Sequence, residues 1–313
     1  MFKLKPVFKD YIWGGNRLKT DFNKESDLDV LAESWELCCH KSGTNIIDGA
    51  EINLNEFLKD NPDSLGTNCD KFSNFPILIK LIDAKDNLSI QVHPDDEFAK
   101  KNENSFGKTE MWYVVDAEPD SYLYYGFNEN ISREEFKKRI ENNTLLEDLN
   151  KVPVKKGDVF FITAGTVHAI CKGTLIAEIQ QNSDITYRVY DYGRVGKDGN
   201  PRELHIDKAV NVSKLEVPVE YSKKIIEDNN NFTKTLLSKC EFFETYKVDV
   251  KTDVKLNATK ESFNSILCLG GVATVSSKNS SQDMKKGDSI FIPAGEEEYI
   301  VKGECELILT LVP

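Results

Sequence analysis

The sequence predicts a mainly β protein made of two related β domains, with α-helices inserted into the first. Three observations carry that expectation. Short apolar or alternating segments recur between Gly, Asn, Asp and Pro punctuation, as in sandwiches and barrels. Residues 155–170 (KKGDVFFITAGTVHAI) return as residues 285–300 (KKGDSIFIPAGEEEYI), which marks an internal repeat. A polar, Asn-rich stretch at 226–233 (IEDNNNFT) lies between the copies and reads as a linker or exposed loop. The expected domains are therefore 1–215, with helical inserts at about 115–150, and 216–313.

The strands are placed by period-2 or continuous apolar runs at 76–82, 88–93, 111–115, 121–125, 158–162, 174–180 and 186–190. Helices are placed at 54–60, at 95–101 with Asp95 and Asp96 as an N-cap, at 132–142 and at 204–213. Ser132 and Glu135 form a capping box for the third of these, and its charged run 133–141 reads as a solvated face. Each copy of the repeat reads as a turn (Lys-Lys-Gly-Asp), a buried strand, an Ala-Gly turn and a second strand. The copies differ where His168 becomes Glu298. If His168 is a ligand, the second domain lacks that site.

Composition excludes several function classes. The chain has 313 residues, 40% hydrophobic and 29% charged, and Lys+Arg 40 against Asp+Glu 52 gives a net charge of −12. That balance argues against nucleic acid and against an anionic membrane surface as partners. No apolar run reaches the length of a membrane span. The start, MFKLKPVFKDYIWGG, has no continuous apolar core of a secretory signal. The seven cysteines are odd in number and irregularly spaced, without CxxC, so neither a disulfide framework nor a thiolate metal site is expected. The vicinal Cys38–Cys39 pair reads as small apolar residues on a strand. These features together predict a cytoplasmic protein, with oligomeric state open.

The spacing G-x5-[TP]-x-G-x2-H, here Gly157, Thr163, Gly165 and His168, resembles the second motif of the cupin superfamily. The second copy keeps Gly287, Pro293 and Gly295 without the His. The resemblance implies a bicupin, two double-stranded β-helix (jelly-roll) domains, of which the C-terminal one is degenerate and without a metal site. Of the four histidines, His40, His93, His168 and His205, two fall into an arrangement. Gln91 and His93 lie at i and i+2 on one face of a strand, joined by Ser89, while Ile90 and Val92 face away. Glu110 precedes the apolar run MWYVV. Gln91, His93, Glu110 and His168 offer four N/O ligands, a set suited to one Zn²⁺ or another first-row divalent ion. His205, with Lys208, reads as structural.

Further strings carry a narrower resemblance: YIWG (11–14), AESWELCCH (32–40), FPILIKLIDAKDNLSIQVHPDD (75–96), GKTEMWYV (107–114), GTVHAI (165–170), AEIQQNSDITYRVYD (177–191) and RELHIDKA (202–209). They resemble type I mannose-6-phosphate isomerase, the zinc-dependent phosphomannose isomerase family, in its shorter bacterial form. That resemblance implies Gln91, His93, Glu110 and His168 as metal ligands, Arg188 as the active-site arginine and Lys108 as the lysine of KxE. A sugar phosphate needs a local positive pocket in an acidic protein, and Lys80, Lys108 and Arg188 are the candidates. Ser89 is a candidate to bind phosphate or sugar, Glu178 and Asp184 to position sugar hydroxyls or orient Arg188, and Trp13 to stack on a ring. The implied reaction is aldose–ketose isomerisation between mannose 6-phosphate and fructose 6-phosphate through an enediol(ate), with the proton-transferring base open. Two other readings of the fold are a cupin oxygenase using Fe²⁺ and a non-catalytic sugar-binding bicupin. Gln91 and Lys108 argue against the first, and the retained ligand set and arginine against the second.

Overall fold

The computed structural model describes residues 1–196, 199–219 and 223–313. The strands form stacked sheets. A six-stranded sheet runs Val159–Ile162, Glu110–Ala117, Thr174–Gln181, Ile77–Ala84, Glu33–Leu37, Val7–Lys9. A five-stranded sheet runs Leu149–Pro153, Tyr122–Phe127, His168–Ile170, Ile90–Val92, Tyr187–Tyr190. Trp112, Val114, Ile82 and Ile176 of the first meet Leu123 and Ile170 of the second in one buried cluster, so the two sheets close the first barrel.

The six-stranded sheet is covered on both faces. Its strands alternate: Lys80, Ile82, Glu110, Trp112 and Glu178 point into the barrel, whereas Ile79, Leu81, Met111, Tyr113, Ala177 and Ile179 point away. The second set packs with Leu267, Phe291 and Ile308 of the C-terminal sheet. This is why these segments read as continuous apolar runs. The outer face of the five-stranded sheet is covered by the helices Arg133–Glu141 and Ile206–Val212, through Phe136, Ile140 and Ala209. The expected caps form: Ser132 Oγ accepts from the Glu135 N–H (3.0 Å), and Asp95 Oδ1 from the Phe98 N–H (2.9 Å).

The C-terminal strands form a ten-stranded sheet that also recruits the N-terminus: Phe2–Lys5 pairs with Ser289–Ile292. Phe291 stacks on Phe2 (5.5 Å) and on Phe263 (5.0 Å). The repeat holds at the level of single hydrogen bonds. In the Lys-Lys-Gly-Asp turns, Asp158 Oδ2 accepts from the Lys155 N–H (2.9 Å) and Asp288 Oδ2 from the Lys285 N–H (3.0 Å). Gly157 and Gly287 both sit at φ 92°, where a side chain is strained, and donate to Val114 O and Cys268 O at 2.8 Å.

Two expectations are corrected. Residues 226–233 are not a linker: Lys224–Asp228 and Phe232–Lys239 form a hairpin. Asn229 closes it by accepting from the Asn231 and Phe232 N–H groups, so the Asn-rich run marks a tight Asx turn. The helical insert is also shorter than 115–150, because Glu110–Ala117, Tyr122–Phe127 and Leu149–Pro153 are barrel strands and the helix is Arg133–Glu141. All seven cysteines are free. Among the described residues no helix is long and apolar enough to cross a membrane.

Phe291→Ala removes a fully buried ring that joins the N-terminal strand to the C-terminal core. It should destabilise by about 3–5 kcal/mol, read from the shift of the denaturant midpoint; a loss under about 1 kcal/mol would contradict this packing.

Candidate active site

Two rows of side chains face each other between the sheets. On the six-stranded sheet, strand register aligns Trp35, Lys80, Glu178, Trp112 and Phe160 across five strands. On the five-stranded sheet it aligns Tyr125, His168, Gln91 and Arg188 across four. Cross-strand neighbours share a face, so each row is fixed by backbone pairing before any side-chain contact forms. His93 follows the Ile90–Val92 strand, and Glu110 begins the next long strand opposite Gln180.

His93, Glu110 and His168 converge, with one donor atom from each within 4.8 Å of the others. His93 Nδ1–H donates to Ile185 O and His168 Nδ1–H to Thr166 O, both at 2.8 Å. Those bonds fix the tautomers, so both Nε2 lone pairs face inward. His168 Nε2 lies 3.4 Å from Glu110 Oε1, and His93 Nε2 lies 3.7 Å from Glu110 Oε2. Burial, then the nearby Lys108, holds the His168 ring down at about 3 and the His93 ring well below the usual histidine range. Neutral imidazoles thus aim lone pairs at a carboxylate. Glu110 Oε1 is itself buried without a hydrogen-bond donor. Such an arrangement is repulsive unless a cation sits among the donors. The Lys108 ammonium already takes part of that role: it donates to His93 Nε2 (3.2 Å) and pairs with Glu110. The Gln91 amide lies 3.4 Å from His168 Nε2, and a half-turn of that amide presents its oxygen.

A buried chain of alternating charge runs back from this cluster. Glu178 Oε1 is 3.7 Å from Lys108 Nζ and 3.1 Å from Lys80 Nζ, and Lys80 is 3.8 Å from Glu33. Trp112 Nε1–H donates to Glu178 (3.0 Å), and Trp35 Nε1–H to Glu33 (2.7 Å). Burial pushes the Glu178 carboxyl up, but Lys108 and Lys80 outweigh it and hold it below the carboxylate range. Burial and the Glu178 charge push Glu110 up. Burial opposes the Lys80 charge, and Glu178 and Glu33 restore it.

These groups line a cavity of about 300 Å³ that opens to solvent. Trp13, Lys80, Ser89, Gln91, Lys108, Glu178, Asp184 and Arg188, all singled out in the sequence, reach its wall. His93, Glu110 and His168 sit beside it. Trp13 stacks on Tyr11 at 5.4 Å, and Asp184, at the mouth, accepts from Ser42 Oγ (3.1 Å). Arg188 Nη1 donates to Glu203 O (2.8 Å), and its Nε is buried without an acceptor. Sequence reasoning missed Tyr11, Glu33, Trp35, Ser42 and Arg202, which also line the cavity. A signal existed for two of them: Glu33 and Trp35 lie at i and i+2 in the strand ESWEL, hence on one face.

Residues 1–125 match the family described as phosphomannose isomerase type I, catalytic domain, and residues 233–312 match mannose-6-phosphate isomerase, cupin domain. The mannose-6-phosphate isomerase ManA of Bacillus subtilis is 36% identical over 312 residues, 98% of this chain and 97% of that one. The chain belongs to the type I mannose-6-phosphate isomerase family. The mannose-6-phosphate isomerase of Streptococcus mutans is 34% identical, covering 95% of this chain and 93% of that one. The crystal structure of the mannose 6-phosphate isomerase from B. subtilis superposes with a TM-score of 0.92 at 34% identity, covering 99% and 98% of the two chains. The chain is thus an enzyme of this isomerase family with the cupin architecture, and His93 and Glu110 of the converging cluster lie in the segment that matches the family's catalytic domain.

In the second barrel, Asn264 takes the place of Glu110: each pairs with the last Ile of the repeat's first strand, Ile292 and Ile162. Glu298 does not replace His168 inside the barrel. It is exposed and faces Lys255 (3.4 Å). The buried side chain there is Tyr299, whose hydroxyl accepts from Asn264 Nδ2–H (2.8 Å). A ring and an amide fill the space that the first barrel gives to ligands.

His168→Ala removes one of three convergent donors. It should weaken metal binding by more than the ~10–100-fold that follows loss of an outer partner, read as metal content after dialysis. Full occupancy would remove His168 from the ligand set.

Proposed function

We propose that the chain interconverts mannose 6-phosphate and fructose 6-phosphate in this cavity, through an enediol(ate), with one Zn²⁺ held by Gln91, His93, Glu110 and His168. The observation that carries the reading is the pair of neutral Nε2 lone pairs converging on Glu110 beside Lys108 and Arg188. Nitrogen and oxygen donors without sulfur suit zinc and tolerate other divalent ions. The ion, when bound, supplies a Lewis acid that polarises sugar oxygens.

The chain's own groups divide the remaining work. The reaction moves a proton between C2 and C1 of the open sugar, and negative charge develops on the enediol oxygens. Arg188 stands on the row of Gln91 and places its guanidinium at the cavity wall, where it stabilises that charge. Its basicity disqualifies it as the base. His93 and His168 would have their Nε2 atoms committed to the ion when it is bound. Lys108 and Glu178 remain as the pair that carries the proton: both reach the cavity, and they are 3.7 Å apart. Trp13 and Tyr11 offer ring faces to the sugar, and Ser89 and Asp184 offer polar groups for hydroxyls. The Gln91 amide in the donor set and the buried Lys108 beside it do not favour an Fe²⁺ oxygenase.

Turnover of mannose 6-phosphate should disappear on chelation and return with Zn²⁺. A folded, metal-loaded sample without turnover would replace this reading with a sugar-binding one. Arg188→Ala should lower kcat by about 10²–10³-fold, the scale of losing an oxyanion contact, with metal content unchanged. Loss of metal with the arginine would make its role structural.

A further inference from the structure

We infer that Arg202 is the residue that binds the substrate's phosphate group, a task for which the buried lysines are not available. The inference rests on the isomerase reading above. Lys80 and Lys108 each lie between two carboxylates: Lys80 between Glu33 and Glu178, and Lys108 between Glu178 and Glu110. Their charge is already matched on the cavity floor, so a dianion placed there would meet three acids as well as two ammonium groups. At the mouth, among the described residues, Arg188, Arg194 and Arg202 gather around the buried Asp191. Asp184 and Glu203 are the other acids near them, but both are open to water, so a guanidinium there can turn from its carboxylate to a phosphate.

The three arginines are not equivalent. Arg194 is tied to Asp191 and to Asn87 O, and does not line the cavity. Arg188 lines it, and is required at the reacting end by its position on the row of Gln91. Arg202 lines the cavity and is held in a bidentate pair, Nε to Asp191 Oδ2 (2.7 Å) and Nη2 to Oδ1 (2.6 Å). Asp191 is shared: if Arg202 turns to a phosphate, Arg194 keeps its bond to Oδ1 and only Oδ2 gives up its Arg202 donor. The guanidinium is thus stored on a carboxylate that a second arginine still holds. Its planar fork suits phosphate oxygens better than an ammonium does. The segment that carries it is fixed beside the reacting strand: Glu203 O accepts from Arg188 Nη1–H, and the His205 N–H donates to Arg188 O (2.7 Å).

The test uses the full-length metal-loaded enzyme with two variants, Arg202→Gln and Arg202→Lys. Inorganic phosphate is titrated by calorimetry, and mannose 6-phosphate kinetics are measured in parallel. We expect Arg202→Gln to weaken phosphate binding and raise KM by roughly 10–100-fold, the worth of a charge-assisted bidentate pair, with a smaller loss in kcat. Arg202→Lys should fall between, since it keeps the charge without the fork. Phosphate affinity and KM unchanged in Arg202→Gln would overturn the inference. So would a fall in kcat alone, which would assign Arg202 to tying the loop through Asp191. If the wild type binds phosphate through Arg202 but does not turn over mannose 6-phosphate, the anion site stands and the isomerase reading falls.

Discussion

The structure depends on placing five buried ionisable groups, Glu33, Lys80, Glu178, Lys108 and Glu110, on one inner wall. Each charge would be costly alone in a dry interior. Arranged in alternation, each charge has an opposite neighbour, and the indole N–H groups of Trp35 and Trp112 add donors to Glu33 and Glu178. Removing one member leaves its neighbours uncompensated, which for a buried pair costs about 3–5 kcal/mol. The wall therefore behaves as a unit, and its geometry is set by strand register. A slip of one residue would turn Lys80 and Glu178 outward into the apolar seam against the second domain.

That seam explains why a second barrel without the His–Glu–His cluster is retained. The charged wall needs a rigid, water-free support behind it. Met111, Tyr113, Ala177 and Ile179 obtain that support from Leu267, Phe291 and Ile308. Even the first strand of the chain pairs into the C-terminal sheet. The second copy preserves the turns and strands of the repeat, while its interior has become a packed Tyr299–Asn264 pair. Ligand residues are dispensable there, whereas backbone geometry is not, because the latter builds the surface on which the first domain rests.

What the sequence revealed follows the same division. Ser89, Gln91 and His93 were legible as polar residues on one face of a strand, whereas Glu110, His168, Lys108, Arg188 and Trp13 were singled out mainly through the family resemblance; the structure brings Gln91, His93, Glu110 and His168 together. Lys80, Ser89, Lys108, Glu178, Asp184, Arg188 and Trp13 all reach the cavity. The outline of the barrel was visible in alternating runs, and the helix at Leu54–Asp60 in its apolar spacing. Other features were not legible because they are long-range. Nothing local says that Trp35 lies across from Lys80, or that Ser42 bonds to Asp184. Arg202 was hidden for a different reason: in a polar loop, an arginine is an ordinary surface residue until hydrogen bonds place Glu203 and His205 against Arg188. The Asn-rich 226–233 stretch misled by composition, since the residues that favour loops also close tight hairpins.

The distribution of cations follows from burial. On the floor, an unmatched charge would be desolvated at high cost, so each lysine is neutralised, and what it can contribute is a proton rather than a field. At the mouth the Arg202 guanidinium is partly open to water, so its charge is solvated when no anion is bound. On the proposed reading, a doubly charged substrate would be held at the rim by its phosphate while C1 and C2 reach the groups inside. Tight binding of the phosphate would then act on both sugar isomers alike, leaving the differential contacts to Arg188, Lys108 and Glu178.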